Sequence, residues 1–149
     1  MKKLLFIPLL LTCISANAVP DIWRSGFGMG WVEYSIQDAK NRTLWIACES
    51  GAGDHLDHSA KLEINGKSFS NSDSEYPLTF LLDNRKEVAP PNSTMWRNGA
   101  NAWYEFVHGM SKAEKIDVYI NNKKVTTFTP NKASIEEVAS GLTGCEAKW

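Results

Sequence analysis

Long apolar runs, a strong excess of one charge and the common catalytic motifs are all missing from this 149-residue chain. The one sustained apolar run, Leu4 to Leu11, is interrupted by Pro8 and falls well short of the ~20 residues that cross a bilayer. No second run of spanning length follows it, so no membrane insertion is expected. Sixteen Lys and Arg residues face seventeen Asp and Glu. That balance lacks the clustered basic charge that nucleic acid or an anionic membrane rewards, and neither is expected as a partner. No nucleophile elbow, phosphate loop or H-E-x-x-H sequence occurs. No internal repeat, low-complexity block or Pro/Gly-rich linker divides the chain, which points to one domain.

What is present begins with an export signature. Lys2 and Lys3 precede the Leu4–Leu11 run, and Ala16-Asn17-Ala18 supplies the small residues that signal peptidase requires. A signal peptide over residues 1–18 is expected, followed by a single β-rich domain over 19–149 in the periplasm. A lipoprotein route through Cys13 is less favoured, because Thr12 stands where that processing prefers Gly, Ala or Ser. Loss of the signal removes Cys13 and leaves two of the three cysteines, Cys48 and Cys145. An even pair in an oxidising compartment predicts a bridge between them. Closing a loop of about a hundred residues is worth roughly 4–5 kcal/mol at most.

Hydrophobic periodicity predicts the elements. Val32, Tyr34 and Ile36 alternate with polar residues, as do Leu44, Ile46 and Cys48, the pattern of half-buried strands. The polar segment Asp38 to Arg42 joins them as a hairpin. Asn65-Gly66 marks a second hairpin within Ala60 to Phe69, because both residues tolerate positive φ. Leu78 to Leu82 reads as a strand ended by Asp83-Asn84, and Ala89 to Thr94, with Pro90-Pro91, as loop. Trp103, Phe106, Val107 and Met110 recur at helical spacing, with Gly109 expected to weaken the helix end. Ile116 to Ile120 and Val125 to Phe128 form a third hairpin around Asn121-Asn122. Ser134-Ile135-Glu136-Glu137 matches a capping box, with Gly141 as the C-terminal cap. Together these predict a mainly β (α+β) fold. About seven antiparallel strands would form a small β-sandwich or bent sheet with two short helices and one disulfide.

Thr43-Leu44-Trp45-Ile46-Ala47-Cys48 is an apolar strand ending in cysteine, and the tail runs from Phe128 through Ile135 and Leu142 to Cys145. Between them an amphipathic stretch near Trp103 precedes a strand hairpin. In this order of elements the chain resembles extracytoplasmic proteins of the invasion-associated locus B type and periplasmic accessory proteins of type VI secretion clusters. The resemblance implies a disulfide-tied β-sandwich without catalysis. It does not extend to Gly51–His58.

The densest polar cluster is Asp54-His55-Leu56-Asp57-His58. Two imidazoles and two carboxylates in five residues suit zinc or acid–base chemistry in composition. Gly51 and Gly53 argue for a loop, however, and both cysteines are committed to the bridge. A solvated connection is the plain reading, and His55, Asp57 and His58 are also candidate partner-binding residues. Gly26-Phe27-Gly28-Met29-Gly30 is read as a flexible lead-in or bulge. The sequon-like Asn41-Arg42-Thr43 and Asn92-Ser93-Thr94 are read as turn residues. Trp31 and Trp45 fall on the strand face opposite the core, where a helix covers them or they form a recognition surface. Trp103 is expected in the core and Trp149 tied near Cys145 or frayed. Trp96, just after the Pro90-Pro91 loop, is the first candidate for an exposed anchor.

The leading expectation is a non-catalytic exported binding protein with no cofactor and no metal. Its partner would be another protein, and an immunity protein or inhibitor facing an envelope- or wall-directed toxin or lytic enzyme would fit. An accessory factor of a secretion or invasion apparatus is the second candidate. A small metal-dependent hydrolase using His55 and His58 is the third.

Overall fold

The computed structural model describes residues 19–51 and 57–147. The expected signal peptide, Cys13, Asp54, His55 and Trp149 lie outside the described residues. Nine strands, two α-helices and one 3-10 turn are seen among them. Strands β1 (Arg24–Gly28), β2 (Trp31–Gln37), β3 (Thr43–Glu49), β4 (Ser59–Ile64) and β5 (Lys67–Ser70) form an antiparallel meander in chain order. A second antiparallel sheet contains β6 (Leu78–Leu82), β7 (Lys86–Val88), β8 (Ile116–Ile120) and β9 (Lys123–Phe128), in the order β7-β6-β8-β9. Helix α1 (Arg97–Met110) lies between β7 and β8 in sequence. Helix α2 (Lys132–Glu137) and the 3-10 turn Ala139–Gly144 close the described chain.

The expected mainly β fold with two helices and a disulfide is therefore present, with two more strands than periodicity suggested. Gly26–Gly30 is no loose lead-in. Gly28 pairs with Trp31 across a two-residue turn in which Met29 and Gly30 both take positive φ, the geometry that matches strand twist. Asp83 and Asn84 also take positive φ and return the chain into β7, a strand too short to show a period. The Asn65-Gly66 and Asn121-Asn122 turns have positive φ at all four residues, as expected of such hairpins.

One hydrophobic core joins both sheets and the helices. Tyr34, Ile36, Leu44, Ile46 and Leu62 from the first sheet share it with Phe80, Ile116, Val118 and Phe128 from the second. Trp103, Phe106, Val107 and Met110 of α1 are all buried in it, so the helical stripe is the core face. Gly109 does not shorten α1. It sits where a Cβ would come within 2.6 Å of Leu82 Cδ1, so the missing side chain lets the helix approach β6. Trp23, given no role from the sequence, is also fully buried.

Two helix-end expectations are corrected. Asn131, not Ser134, is the N-cap of α2, and its Oδ1 accepts the Ser134 backbone N–H at 2.8 Å. An Asx side chain three residues earlier meets the same orphan donor. Gly141 does not cap α2, which ends at Glu137. It lies in the 3-10 turn, where a Cβ would come within 2.8 Å of the Tyr34 hydroxyl.

The disulfide joins Cys48 on β3 to Cys145 just beyond the 3-10 turn, across 97 residues of sequence and a Cα separation of 5.4 Å. A second tie crosses between the sheets at the β2–β3 turn. Buried Asp38 accepts from the Lys40 and Arg42 amides, from Arg42 Nε and from Thr126 Oγ1 of β9. Arg42 Nη1 reaches the Val125 carbonyl. Burial opposes ionisation of Asp38, but the hydrogen bonds from Thr126 and from the Arg42 and Lys40 groups outweigh it and hold its pKa below the ordinary value.

Candidate functional site

One end of the molecule gathers the β1–β2 turn, the C-terminal end of β3, the start of β4 and the loop leading into α1. Ser50 closes on the first of these, its N–H donating to the Gly30 carbonyl at 2.9 Å. The loop is held at both ends. Asn71 Nδ2 donates to the Pro91 carbonyl at 2.6 Å, while Asn71 Oδ1 accepts the Ala60 N–H. Asp57 Oδ1 accepts from Ser93 Oγ at 2.8 Å, from the Thr94 N–H and from Thr94 Oγ1 at 3.1 Å. Thr94 Oγ1 in turn accepts the His58 N–H at 3.0 Å. Burial pushes the Asp57 pKa up, but the donors from Ser93, Thr94 and the Met95 backbone prevail and leave it below the ordinary carboxylate value.

Trp96 emerges from this locked turn. Its backbone is extended, at φ −118° and ψ 149°, and its carbonyl accepts the Ala100 N–H to begin α1. Its side chain is 74% exposed, beside Met95 at 48%. The expectation of an exposed indole after the Pro90-Pro91 loop matches this position. An indole that large and that exposed adds nothing to the core, while the backbone beneath it is fixed by four side chains, Asn71, Asp57, Ser93 and Thr94.

The remaining candidates divide. His55 lies outside the described residues. Asp57 is part of the loop's internal scaffold. His58 is not the exposed loop residue expected from its Gly-rich surroundings: it is only 5% exposed. Its ring packs on Trp103 with centroids 5.4 Å apart, and its Nδ1 accepts the Glu49 N–H at 2.9 Å. That bond places the neutral ring's proton on Nε2, which lies near the Glu146 backbone without meeting full hydrogen-bond geometry. Burial drives the His58 pKa below the ordinary value, against the pull of the Glu146 backbone and the Glu49 and Asp57 charges. With Nδ1 engaged and the ring buried, His58 presents no exposed surface to a partner. Among the described residues, no three His, Cys, Asp or Glu side chains group to hold a metal. His108 stacks on Tyr104 at 3.9 Å, on the far side of α1 from the Trp103 stripe.

Trp31 and Trp45 are half-buried on the outer face of the first sheet. Trp45 is covered by a cross-strand pair rather than by a helix. Its Nε1–H donates to Glu63 at 3.2 Å and Lys61 Nζ lies 5.9 Å from the ring centroid. Sequence reasoning missed Ser93, Thr94 and Asn71 as supports of the site, since Asp57 meets its partners 36 and 37 residues away. Besides the Pro90-Pro91 loop, the adjacency of Met95 to Trp96, two large apolar side chains in a polar stretch, was a further local signal.

Comparison with known proteins gives the chain its relatives. It belongs to the YfjT family, whose family model matches residues 21–136. It is 33% identical over 148 residues to "Uncharacterized protein YkfB" of Escherichia coli (strain K12), covering 97% of this chain and 95% of that protein. It is 32% identical over the same length to "Uncharacterized protein YfjT" of the same organism, with the same coverage. No solved structure matches.

Proposed function

We propose that this YfjT-family protein is an exported, non-catalytic binding protein that engages another protein through the loop ending at Trp96. The observation that carries the proposal is the 74% exposed indole standing on a turn whose backbone is fixed by Asp57 and Asn71. Aromatic side chains with few rotatable bonds on pre-ordered backbone lose little entropy on association and dominate interface energies. The Cys48–Cys145 bridge is compatible with export to an oxidising compartment. Among the described residues, no helix is long and apolar enough to cross a membrane. The role we assign is that of an immunity protein or inhibitor acting on an envelope- or wall-directed toxin or enzyme.

The test is cross-linking in expressing cells, with the wild-type chain and Trp96→Ala carried in parallel. A partner retained by the wild type should bind Trp96→Ala at least ~30-fold more weakly, the equivalent of about 2 kcal/mol. The melting curve of the variant should stay unchanged, because an exposed side chain away from special features shifts stability within about ±0.5 kcal/mol. Equal capture by both forms defeats the proposal. The identity of the partner then separates a toxin or lytic enzyme from a component of a secretion apparatus.

A further inference from the structure

The free edge of β1 is unlike the other sheet edges. Gly28 and Trp31 flank a two-residue turn and form its hydrogen-bonded pair. In this alternation Arg24, Gly26 and Gly28 face β2, and the N–H and C=O groups of Ser25 and Phe27 point away from the sheet. The same parity is visible where Gln37, at the far end of β2, accepts the Asp21 N–H on the β1 side. Among the described residues, no backbone partner meets Ser25 or Phe27.

Proteins blunt such edges with charge, proline, bulges or covering side chains. The outer strand β9 carries Lys123 and Lys124, bulges at Val125 between its pairings with Val118 and Tyr119, and has the Val125 carbonyl taken by Arg42. Strand β7 has three residues, two of them Lys86 and Glu87. Strand β5 begins with Lys67, and its Phe69 packs edge-on against Tyr76. Strand β1 reads Arg24-Ser25-Gly26-Phe27-Gly28, with no proline and no bulge, and charge only at its first residue. Phe27 is 75% exposed and Met29, in the adjoining turn, 99% exposed.

We propose that β1 pairs with β1 of a second copy of this chain, antiparallel and centred on Gly26, to make one continuous ten-stranded sheet. The sequence of the strand is what selects a second copy. In this register Ser25 of each chain exchanges both backbone hydrogen bonds with Phe27 of the other, so all four outward donors and acceptors on each side are met. Gly26 faces Gly26 at the closely spaced, non-hydrogen-bonded position, where two side chains would crowd and glycine does not. The two Arg24 side chains lie at opposite ends of the pairing, and like charges never meet. Each Arg24 instead lies beside Gly28 of the second copy, with Trp31 of that copy next in the row. At two strand spacings, about 10 Å, an arginine crossing a side-chain-free glycine reaches the half-buried Trp31 ring for a cation–π contact. The result is an isologous two-fold interface.

The test uses the protein recovered from expression of the full chain, studied by sedimentation and by cysteine cross-linking. A Cβ at Gly26 or at Gly28 meets nothing within 4 Å, and neither residue has positive φ, so both accept cysteine without strain. Opposed Gly26 Cα atoms would lie about 4.5 Å apart, within disulfide range, and opposed Gly28 Cα atoms about 13 Å apart at strand rise. Gly26→Cys should give a covalent dimer under mild oxidation, with peptide mapping placing the link at residue 26, and Gly28→Cys should not. Wild type should sediment with a concentration-dependent rise to twice the chain mass. Ser25→Pro removes only an outward N–H, and should abolish the dimer with its melting curve retained. If that variant fails to fold, Phe27→Lys, which places charge on the same edge, should do the same. A monomer at every concentration overturns the proposal. So does cross-linking at residue 28 as readily as at 26, or a dimer that survives whichever edge variant folds.

Discussion

Trp103 donates its indole N–H to the carbonyl of Cys145 at 2.8 Å, deep in the core. The amphipathic helix and the C-terminal half of the disulfide are thus held by one polar contact as well as by packing. Cys145→Ala should lower the free energy of unfolding by ~2–5 kcal/mol in chemical denaturation, through loss of a long closed loop. Trp103→Phe should cost ~1–3 kcal/mol by leaving the buried carbonyl unpaired. The double variant should be less destabilised than the sum, because both changes act on the same tail. Strict additivity would show that the tail is anchored elsewhere.

Gly99 offers a test with the sign reversed from ordinary expectation. Glycine to alanine within a helix normally gains about 1 kcal/mol. Here the added Cβ would come within 2.0 Å of the Ser93 carbonyl oxygen, a backbone atom in the turn that Asp57 holds. Gly99→Ala should therefore destabilise by roughly 1–3 kcal/mol, as overpacking does. A rise in melting temperature would mean that the loop yields easily, and with it the order assigned to the backbone under Trp96.

Asp57→Ala removes an acceptor shared by three donors of Ser93 and Thr94. A loss of ~1–3 kcal/mol is expected, similar to losing a helix cap or leaving buried donors unpaired. Amide exchange at Thr94 should accelerate in this variant, while exchange in β8 should follow only the global change. Unchanged protection at Thr94 would contradict the scaffold role.

His58 sets a pH dependence whose direction follows from its burial. In the unfolded chain it takes up a proton as pH falls through about 6.5. In the fold its pKa is lowered by burial, so the ring stays neutral further into acid and keeps accepting the Glu49 N–H. The unfolded state then binds more protons, and stability is complete above pH 6.5 and declines below it, down to the folded pKa. His58→Asn retains a side-chain acceptor without titrating. It should flatten the melting temperature between the unfolded and folded pKa values, leaving the more acidic loss caused by Asp38 and Asp57, whose pKa values are also lowered. An unaltered pH profile would place the titration elsewhere. Replacing His58 by Ala should in addition be clearly destabilising, unlike substitution of an exposed loop residue.

Much of the fold was legible in the sequence because its signals are local. Alternation at Tyr34, Ile36, Leu44 and Ile46, paired Asn and Gly at the turns, and the Trp103 stripe each occupy a window of a few residues. The cysteine pair was legible by count alone. Strand β7 escaped because three residues carry no period, and β1 because its glycines read as breakers where they serve an edge. The role of Asn131 was hidden by a capping box three residues later that matched as well.

Local pattern thus determined which segments are strands and helices and which side chains face the core, since burial of one face requires a matching period. It also marked Trp96 as exposed, beyond a proline-fixed loop and outside any apolar stripe. Only the tertiary structure decided the fate of His58 and Asp57, neighbours in a polar run that sequence could not tell apart. One turns inward against Trp103 and is buried neutral, and the other turns along the surface to collect the donors of Ser93 and Thr94. The distinction depends on groups some 36 to 45 residues away. Desolvation and hydrogen bonding depend on distance in space, which the chain acquires only when its two sheets close on one core.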